Sequence, residues 1–239
     1  MKKLFLSVLL LAGIGTGLGA QQTINDPNAV KREVSGFHGI EVATGIELYL
    51  TAGSTEEVAV SAASEEYRDR IVTKVENGIL KIHYDSKLGA INKRKEEKNL
   101  RAYVSYRTLE QLGVNTGAEV KIQGVLRTEA LDLKANTGGQ VNGEVDIKAL
   151  KVSQNTGSKI TLSGKAEKLD IDGDTGSKFR GEDMNAGSCT ITVSTGAIVS
   201  VSAEKELVVK ANTGGVVRYK GAASIREIKT KTGGSVTKI

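Results

Sequence analysis

The sequence predicts an all-β fold, a parallel β-helix-like solenoid of about seven Thr-Gly-centred coils with an N-terminal β segment as cap. Three observations predict it: an internal repeat, a period of two on either side of each repeat centre, and a core composition of small and β-branched residues. Thr-Gly pairs begin at Thr116, Thr137, Thr156, Thr175, Thr195, Thr213 and Thr232, with spacings of 21, 19, 19, 20, 18 and 19. Repetition at a fixed short period marks a stacked architecture.

Aligned on the threonine, the repeat has a position-specific code. Two residues on stands Ala118, Gly139, Ser158, Ser177, Ala197, Gly215 or Gly234, always small; four residues on stands Val120, Val141, Ile160, Phe179, Val199, Val217 or Val236, always apolar. Four residues before it come Leu112, Leu133, Val152, Ile171, Ile191, Val209 and Ile228. The residue just before it is Asn115, Asn136, Asn155, Asp174, Ser194, Asn212 or Lys231. Apolar residues at period two on both arms are strands. A strand, a polar corner and a second strand cannot bury their own apolar face, so each unit must stack on the next. At ~4.8 Å per coil, seven coils reach roughly 30 Å. At the corner Gly accepts φ > 0, Asn or Asp tolerates the left-handed region, and stacked Asn and Thr side chains can bond along a ladder. Ordinary hairpin turns in a sandwich are the alternative, but they would not impose the same code on seven units.

Composition agrees. Of 239 residues 39% are hydrophobic but only 4% aromatic, with no Trp and one Pro, so Val, Ile and Leu must fill the core while 28 glycines serve the turns. Residues 1–20 have the order of a secretory leader: Lys2 and Lys3, an apolar run over 4–12, then small residues to Gly19 and Ala20, with cleavage expected after either. No cysteine follows the run, which argues against a lipid-anchored form. Nothing later is apolar for the ~20 residues a membrane helix needs. Without Lys2 and Lys3 the chain holds 31 basic and 28 acidic residues, a net charge of about +3, which is no nucleic-acid signature. Cys189 is the only cysteine, so no intrachain disulfide can form. It sits six before Thr195, where other units have Leu131, Leu150, Leu169 and Leu207, and reads as a core residue.

Upstream of Thr116 the pattern changes. Residues 40–50 read as a strand broken at Thr44-Gly45, 58–62 as another, and 78–84 as a strand after an Asn77-Gly78 turn. Residues 64–71 read as a short helix capped by Ser64, and 92–99 as a charged, solvated loop. The chain therefore divides into a leader (1–20), an N-terminal β segment serving as cap (21–108) and the solenoid repeats (109–239). The far end stops at Ile239, with Lys229, Lys231 and Lys238 placed to discourage edge pairing, or else offers a surface for homo-oligomers through the solenoid ends.

The run 35–42 (Ser-Gly-Phe-His-Gly-Ile-Glu-Val) continues through Gly45-Ile46-Glu47-Leu48-Tyr49-Leu50-Thr51 and Gly78-Ile79-Leu80-Lys81-Ile82. Followed by Leu109-Glu110-Gln111-Leu112 and the Asn-Thr-Gly repeats, it resembles the putative auto-transporter adhesin head family, the GIN domain of exported Bacteroidetes-type proteins, over residues 30–239. The resemblance implies a β-helix-like fold outside the cytoplasm, and brings no catalytic residues.

Candidate chemistry is sparse. Asp170, Asp172 and Asp174 could invite a calcium ion, but Asp132, Lys151 and Asp170 occupy one register, so a ladder of alternating surface charges is the plainer reading. Neither His38 nor His83 lies near a second His or a Cys in sequence, and both read as ordinary surface or sheet residues. No catalytic residue, metal site or cofactor is assigned. After each Thr-Gly the outward positions carry Lys121, Lys159, Lys178, Arg180 and Arg218, with Asn142 and Thr161 among them and Ile198 and Val216 as the apolar interruptions. That face suits an acidic glycan or an anionic cell surface. The expectation is an exported, non-enzymatic, adhesin-like binding module at the periplasm, cell surface or beyond, with a surface glycan or envelope protein as partner and no nucleic acid. The alternatives are a polysaccharide-degrading β-helix protein, which would need converging carboxylates, and an envelope structural protein working through its solenoid ends.

Overall fold

A computed structural model describes residues 26–86 and 97–239. The expected leader (1–20) and the charged run as far as Glu96 lie outside the described residues; Glu97, Lys98 and Asn99 lead on to Leu100 without regular structure. The protein is an all-β solenoid of about seven turns. Its long strands are β9 (Glu119–Ala135), β10 (Gln140–Gln154), β11 (Lys159–Gly173), β12 (Lys178–Val193) and β13 (Ile198–Ala211), each one coil, joined at Thr-Gly corners and paired in parallel with the next. The register is the one the repeat predicts: Val120, Val141, Ile160, Phe179, Val199 and Val217 stack as one ladder, and Leu112, Leu133, Val152, Ile171, Ile191, Val209 and Ile228 as another. All but Ile228 of these are buried. Cys189 lies in register between Leu169 and Leu207, where burial, with the nearby Asp170 charge, pushes its thiol up to about 12.

Unequal repeat lengths are absorbed between the corners, chiefly at the bend after the first arm, with a second slip between Ala186 and Ser188 in β12 against β13. The pairing slips after the first arm, between Asn142 and Glu144 in β10 against β9, between Thr161 and Gly164 in β11 against β12, and between Gly181 and Asn185 in β12 against β13. The extra residues of the 21- and 20-residue spacings therefore bulge at a bend and leave the corners in line.

The corners hold a surprise. Thr, not Asn, takes the left-handed conformation: Thr116, Thr137, Thr156, Thr175, Thr195, Thr213 and Thr232 have φ of 42–50°, and the following glycines 68–76°. With the N–H of the small residue donating to the carbonyl of the residue before the threonine (Ala118 to Asn115, 3.1 Å; Gly139 to Asn136, 2.9 Å), each corner is a type I′ turn. Asn155 and Asp174 keep ordinary φ and use their carboxamide and carboxylate oxygens to accept the next N–H, at 2.7 Å from Thr156 and from Thr175. The corners are also tied to one another, since Gly117, Gly138, Gly157, Gly176, Gly196 and Gly214 each donate to the threonine carbonyl of the following coil at 3.0–3.1 Å. A β-branched residue at positive φ costs about 1–2 kcal/mol. Thr156→Asn should therefore raise stability by about 1 kcal/mol despite losing the exposed Thr156 hydroxyl bond to Asn155. A higher urea midpoint would show it, and a lower one would mean that the stacked threonines outweigh their strain.

The stack does not begin at Thr116. Strands β2 (Gly39–Val42) and β3 (Glu47–Ala52) flank Thr44 (φ 63°) and Gly45 (φ 71°), and they pair in parallel with β8 (Gln111–Val114) and β9: Ile40 beside Leu112, Leu48 beside Val120. Gly45 donates to the Thr116 carbonyl at 3.0 Å, as the glycines of the next six corners do to theirs. Beyond this coil lie β6 (Ile79–Tyr84) on β2 and β7 (Arg101–Tyr106) on β3, still parallel. The sheet then turns antiparallel. Strand β4 (Glu57–Ser61) pairs with β7 and with β1 (Val30–Arg32), and β5 (Ile71–Glu76) with β6 across the Asn77-Gly78 turn. Helix α1 (Glu65–Arg68), shorter than expected but capped by the Ser64 hydroxyl, buries Tyr67 at this end. Antiparallel edges and a helix cap one end of the solenoid. At the other, β14 (Val216–Lys220), β15 (Ser224–Thr230) and β16 (Ser235–Lys238) complete the last coils, and Ile225 (52%) and Ile239 (60%) remain exposed.

One core position departs from the apolar pattern. Gln154 is buried in the column of Ala135, Gly173 and Val193; its Nε2 donates to the Lys178 carbonyl at 3.1 Å, while its Oε1 and the buried Ser158 hydroxyl have no hydrogen-bond partner among the described residues.

Candidate functional site

The arm that follows each Thr-Gly corner points alternate residues outward, so positions three and five after the threonine form two parallel columns on one sheet face. The first runs Glu119, Gln140, Lys159, Lys178, Ile198, Val216; the second Lys121, Asn142, Thr161, Arg180, Ser200, Arg218. All five cations assigned from the sequence therefore share this face, and four of them differ from the fifth. Lys159, Lys178, Arg180 and Arg218 make no ion pair within the described residues. Lys121 is bound to Glu47, which also faces Arg101 at 3.5 Å, and its ammonium lies 5.5 Å from the centre of the Tyr49 ring.

Tyr49 and Tyr103 extend the second column toward the capped end. Their rings stack at 5.2 Å between centroids and 14° between planes. Burial pushes the Tyr103 hydroxyl up, to about 12, helped by its 2.8 Å hydrogen bond to the Asp26 carboxylate. Burial also pushes the Asp26 carboxyl up, but hydrogen bonds from Tyr103, the Asn28 N–H and Ser61, with the Arg101 charge, outweigh it and hold the group below its ordinary value. Glu47 is lowered in the same way, burial being outweighed by Lys121, Tyr49 and Arg101. A carboxylate whose folded pKa lies below its unfolded value of about 3.9 contributes stability that is present above that pH and lost as pH falls through the folded value. Urea midpoints of wild type and Asp26→Asn should therefore differ at pH 6 and converge as pH approaches 2; a constant difference would mean that the ionised form of Asp26 is not favoured by folding.

Sequence reasoning missed both tyrosines and Ser200. Tyr49 was within reach, because it stands five residues after Thr44 as Lys121 stands five after Thr116. Tyr103 follows no Thr-Gly and carried no signal. Ser200 faces outward yet is only 4% exposed, since its neighbours in the column are Arg180 and Arg218. These groups line a notch of about 450 Å³ with Lys178, Glu182 and Ile198.

In a groove elsewhere several charges are matched. A groove of about 700 Å³ crosses several coils, lined by Arg127, Glu129, Asp146, Lys148, Lys165 and Glu167 among others. There Asp146 pairs with Arg127 at 3.8 Å and Lys165 at 3.3 Å, and Glu129 with Lys148 at 2.7 Å. The expected charge ladder is only half present. Lys151 does lie in register between Asp132 and Asp170, but those aspartates bond along their own strands, to Lys134 at 3.0 Å and Lys168 at 3.2 Å. Asp170 is thus held by Lys168 and Asp174 by its corner, and among the described residues no three His, Cys, Asp or Glu side chains are grouped to hold a metal. No helix of the described residues is long and apolar enough to cross a membrane.

Known proteins share this architecture. A putative adhesin from Bacteroides fragilis has 17% identity and a TM-score of 0.75, covering 89% of this chain and 97% of its own. A putative lipid binding protein from Parabacteroides distasonis has 18% identity and a TM-score of 0.66, covering 90% and 98%. A putative adhesin from Parabacteroides merdae has 17% identity and a TM-score of 0.64, covering 88% and 95%. At such identities the likeness is one of fold. No curated protein matches the chain. A family model, however, matches residues 36–223, from the glycine ahead of β2 to the residue just before β15, and by that match the chain belongs to the family described as putative auto-transporter adhesin, head GIN domain.

Proposed function

We propose that the protein is an exported, non-enzymatic, adhesin-like module that presents the outward sheet face after the Thr-Gly corners to an acidic glycan at a cell surface. One observation carries this reading: Lys159, Lys178, Arg180 and Arg218 share the face and make no ion pair among the described residues, whereas Lys121, Lys148, Lys165 and Lys168 are each tied to a carboxylate. An unneutralised cluster on an in-register sheet attracts anions, and its periodic columns suit an extended polymer more than a compact ligand. Family membership and the leader-like residues 1–20 support export and an adhesive role. Ile198 and Val216 are too few apolar groups for a lipid-binding surface.

A glycan array probed with wild type and with Lys159→Glu/Lys178→Glu/Arg180→Glu tests the reading. Binding confined to acidic glycans, weakened by salt and lost in the variant, is the expected result. No binding by wild type would dismiss the glycan reading.

A second reading rests on the last coil, where Ile225, Ile228 and Ile239 are exposed at an open sheet edge. Self-association there would raise the sedimenting mass with concentration and disappear in Ile225→Lys.

A further inference from the structure

We propose that the notch between Arg180 and Arg218, floored by Ser200, is the subsite for a single acidic sugar unit, its anionic substituent held between the two guanidinium groups and its ring resting on Ile198 and Val216. The inference rests on the glycan-binding reading and names the place and chemistry of the contact.

Arg180, Ser200 and Arg218 are consecutive in one column, so the arginines are separated by two coils, about 9.6 Å. Placing like charges in adjacent coils would set them about 4.8 Å apart, where they repel. The intervening serine leaves a gap into which each long side chain can lean, wide enough for one oxyanion between them. Ser200 is 4% exposed and donates its hydroxyl to no other side chain of the described residues, so a donor stands at the floor of the gap. Both arginines are exposed and unpaired. Glu182 lines the same notch but forms no ion pair with either arginine, and with Lys178 three cations there face one carboxylate, leaving the notch net positive. Planar guanidinium forks match a carboxylate or sulfate oxygen pair. Beside this polar side, Ile198 and Val216 are in-register neighbours in the adjoining column, half-buried, with Lys178 preceding them. A polar clamp next to an apolar shelf fits a pyranose, which has an apolar face and, when acidic, one charged substituent.

The test is a titration of the protein with a galacturonate hexamer, its fully methyl-esterified form and a sulfated hexasaccharide. Binding of the galacturonate or the sulfated hexamer, with the ester much weaker, is expected. Arg180→Gln and Arg218→Gln should each weaken it about tenfold or more, and Ile198→Ser about fivefold. Equal binding of acid and ester overturns the clamp. If the arginine variants bind as wild type does while Lys159→Gln/Lys178→Gln does not, the notch is wrong and the broader face reading stands. If neither acidic hexamer binds, both fall.

Discussion

Phe179→Ala is expected to lower the stability of the protein by about 3–5 kcal/mol. Phe179 is the largest of the fully buried side chains and belongs to the ladder whose other members are mostly valine, between Ile160 and Val199. It fits because Gly181, the next inward-facing residue, has no side chain: a methyl there would lie 2.6 Å from the phenylalanine ring. The next coil solves the same problem with Val199 and Val201, in register with Phe179 and Gly181. One large residue and one glycine thus replace two medium ones at nearly constant core volume. Phe179→Val should leave a cavity and Gly181→Val should overpack. The double variant, which copies the neighbouring coil, should recover at least about 1 kcal/mol relative to the sum of the two. Urea midpoints of the four proteins measure this; strict additivity would show that the two positions do not share the space.

Gly139→Ala should cost about 3 kcal/mol, more than Gly138→Ala in the same corner, although Gly138 is the residue with positive φ (72°). The added methyl at Gly139 would meet the Val114 carbonyl, its carbon at 2.8 Å and its oxygen closer still. That carbonyl is fixed by the Asn136 N–H at 2.9 Å and cannot move without breaking the ladder. At Gly138 the nearest atom to an added methyl is 4.0 Å away, leaving only the left-handed strain of about 1 kcal/mol. Equal losses would mean that the coils shift to make room.

The contrast between these neighbours shows what a sequence can carry. Each coil must supply a Thr-Gly corner, a small residue and an apolar ladder position, so seven repetitions made the stacking and its register readable from residues 116 to 236. The coil formed by β2 and β3 was not readable as part of that stack. Thr44 follows Ala43 in place of Asn, the small position holds Ile46, and β4 to β7 intervene in the chain before Thr116. The left-handed threonines were hidden for another reason: the expectation gave that backbone to Asn, which tolerates it locally, whereas the bonds from one corner to the next hold the Thr-Gly peptide in place. Of the candidate face, the cations could be found because side-chain alternation is fixed by the strand. Their pairing could not, since Lys121 meets Glu47 only because the β2–β3 coil stacks on β9. Nor could the burial of Ser200, which depends on long side chains one coil away on either side.

On the proposed face, position and not net charge should decide binding. Affinity for a galacturonate hexamer measured side by side for wild type, Lys159→Glu/Lys178→Glu and Lys148→Glu/Lys165→Glu tests it most directly, because the two variants change net charge equally. A loss of about tenfold or more is expected for the first pair and little change for the second, whose lysines line the groove and are already paired with Glu129 and Asp146. Equal losses from both variants would contradict it.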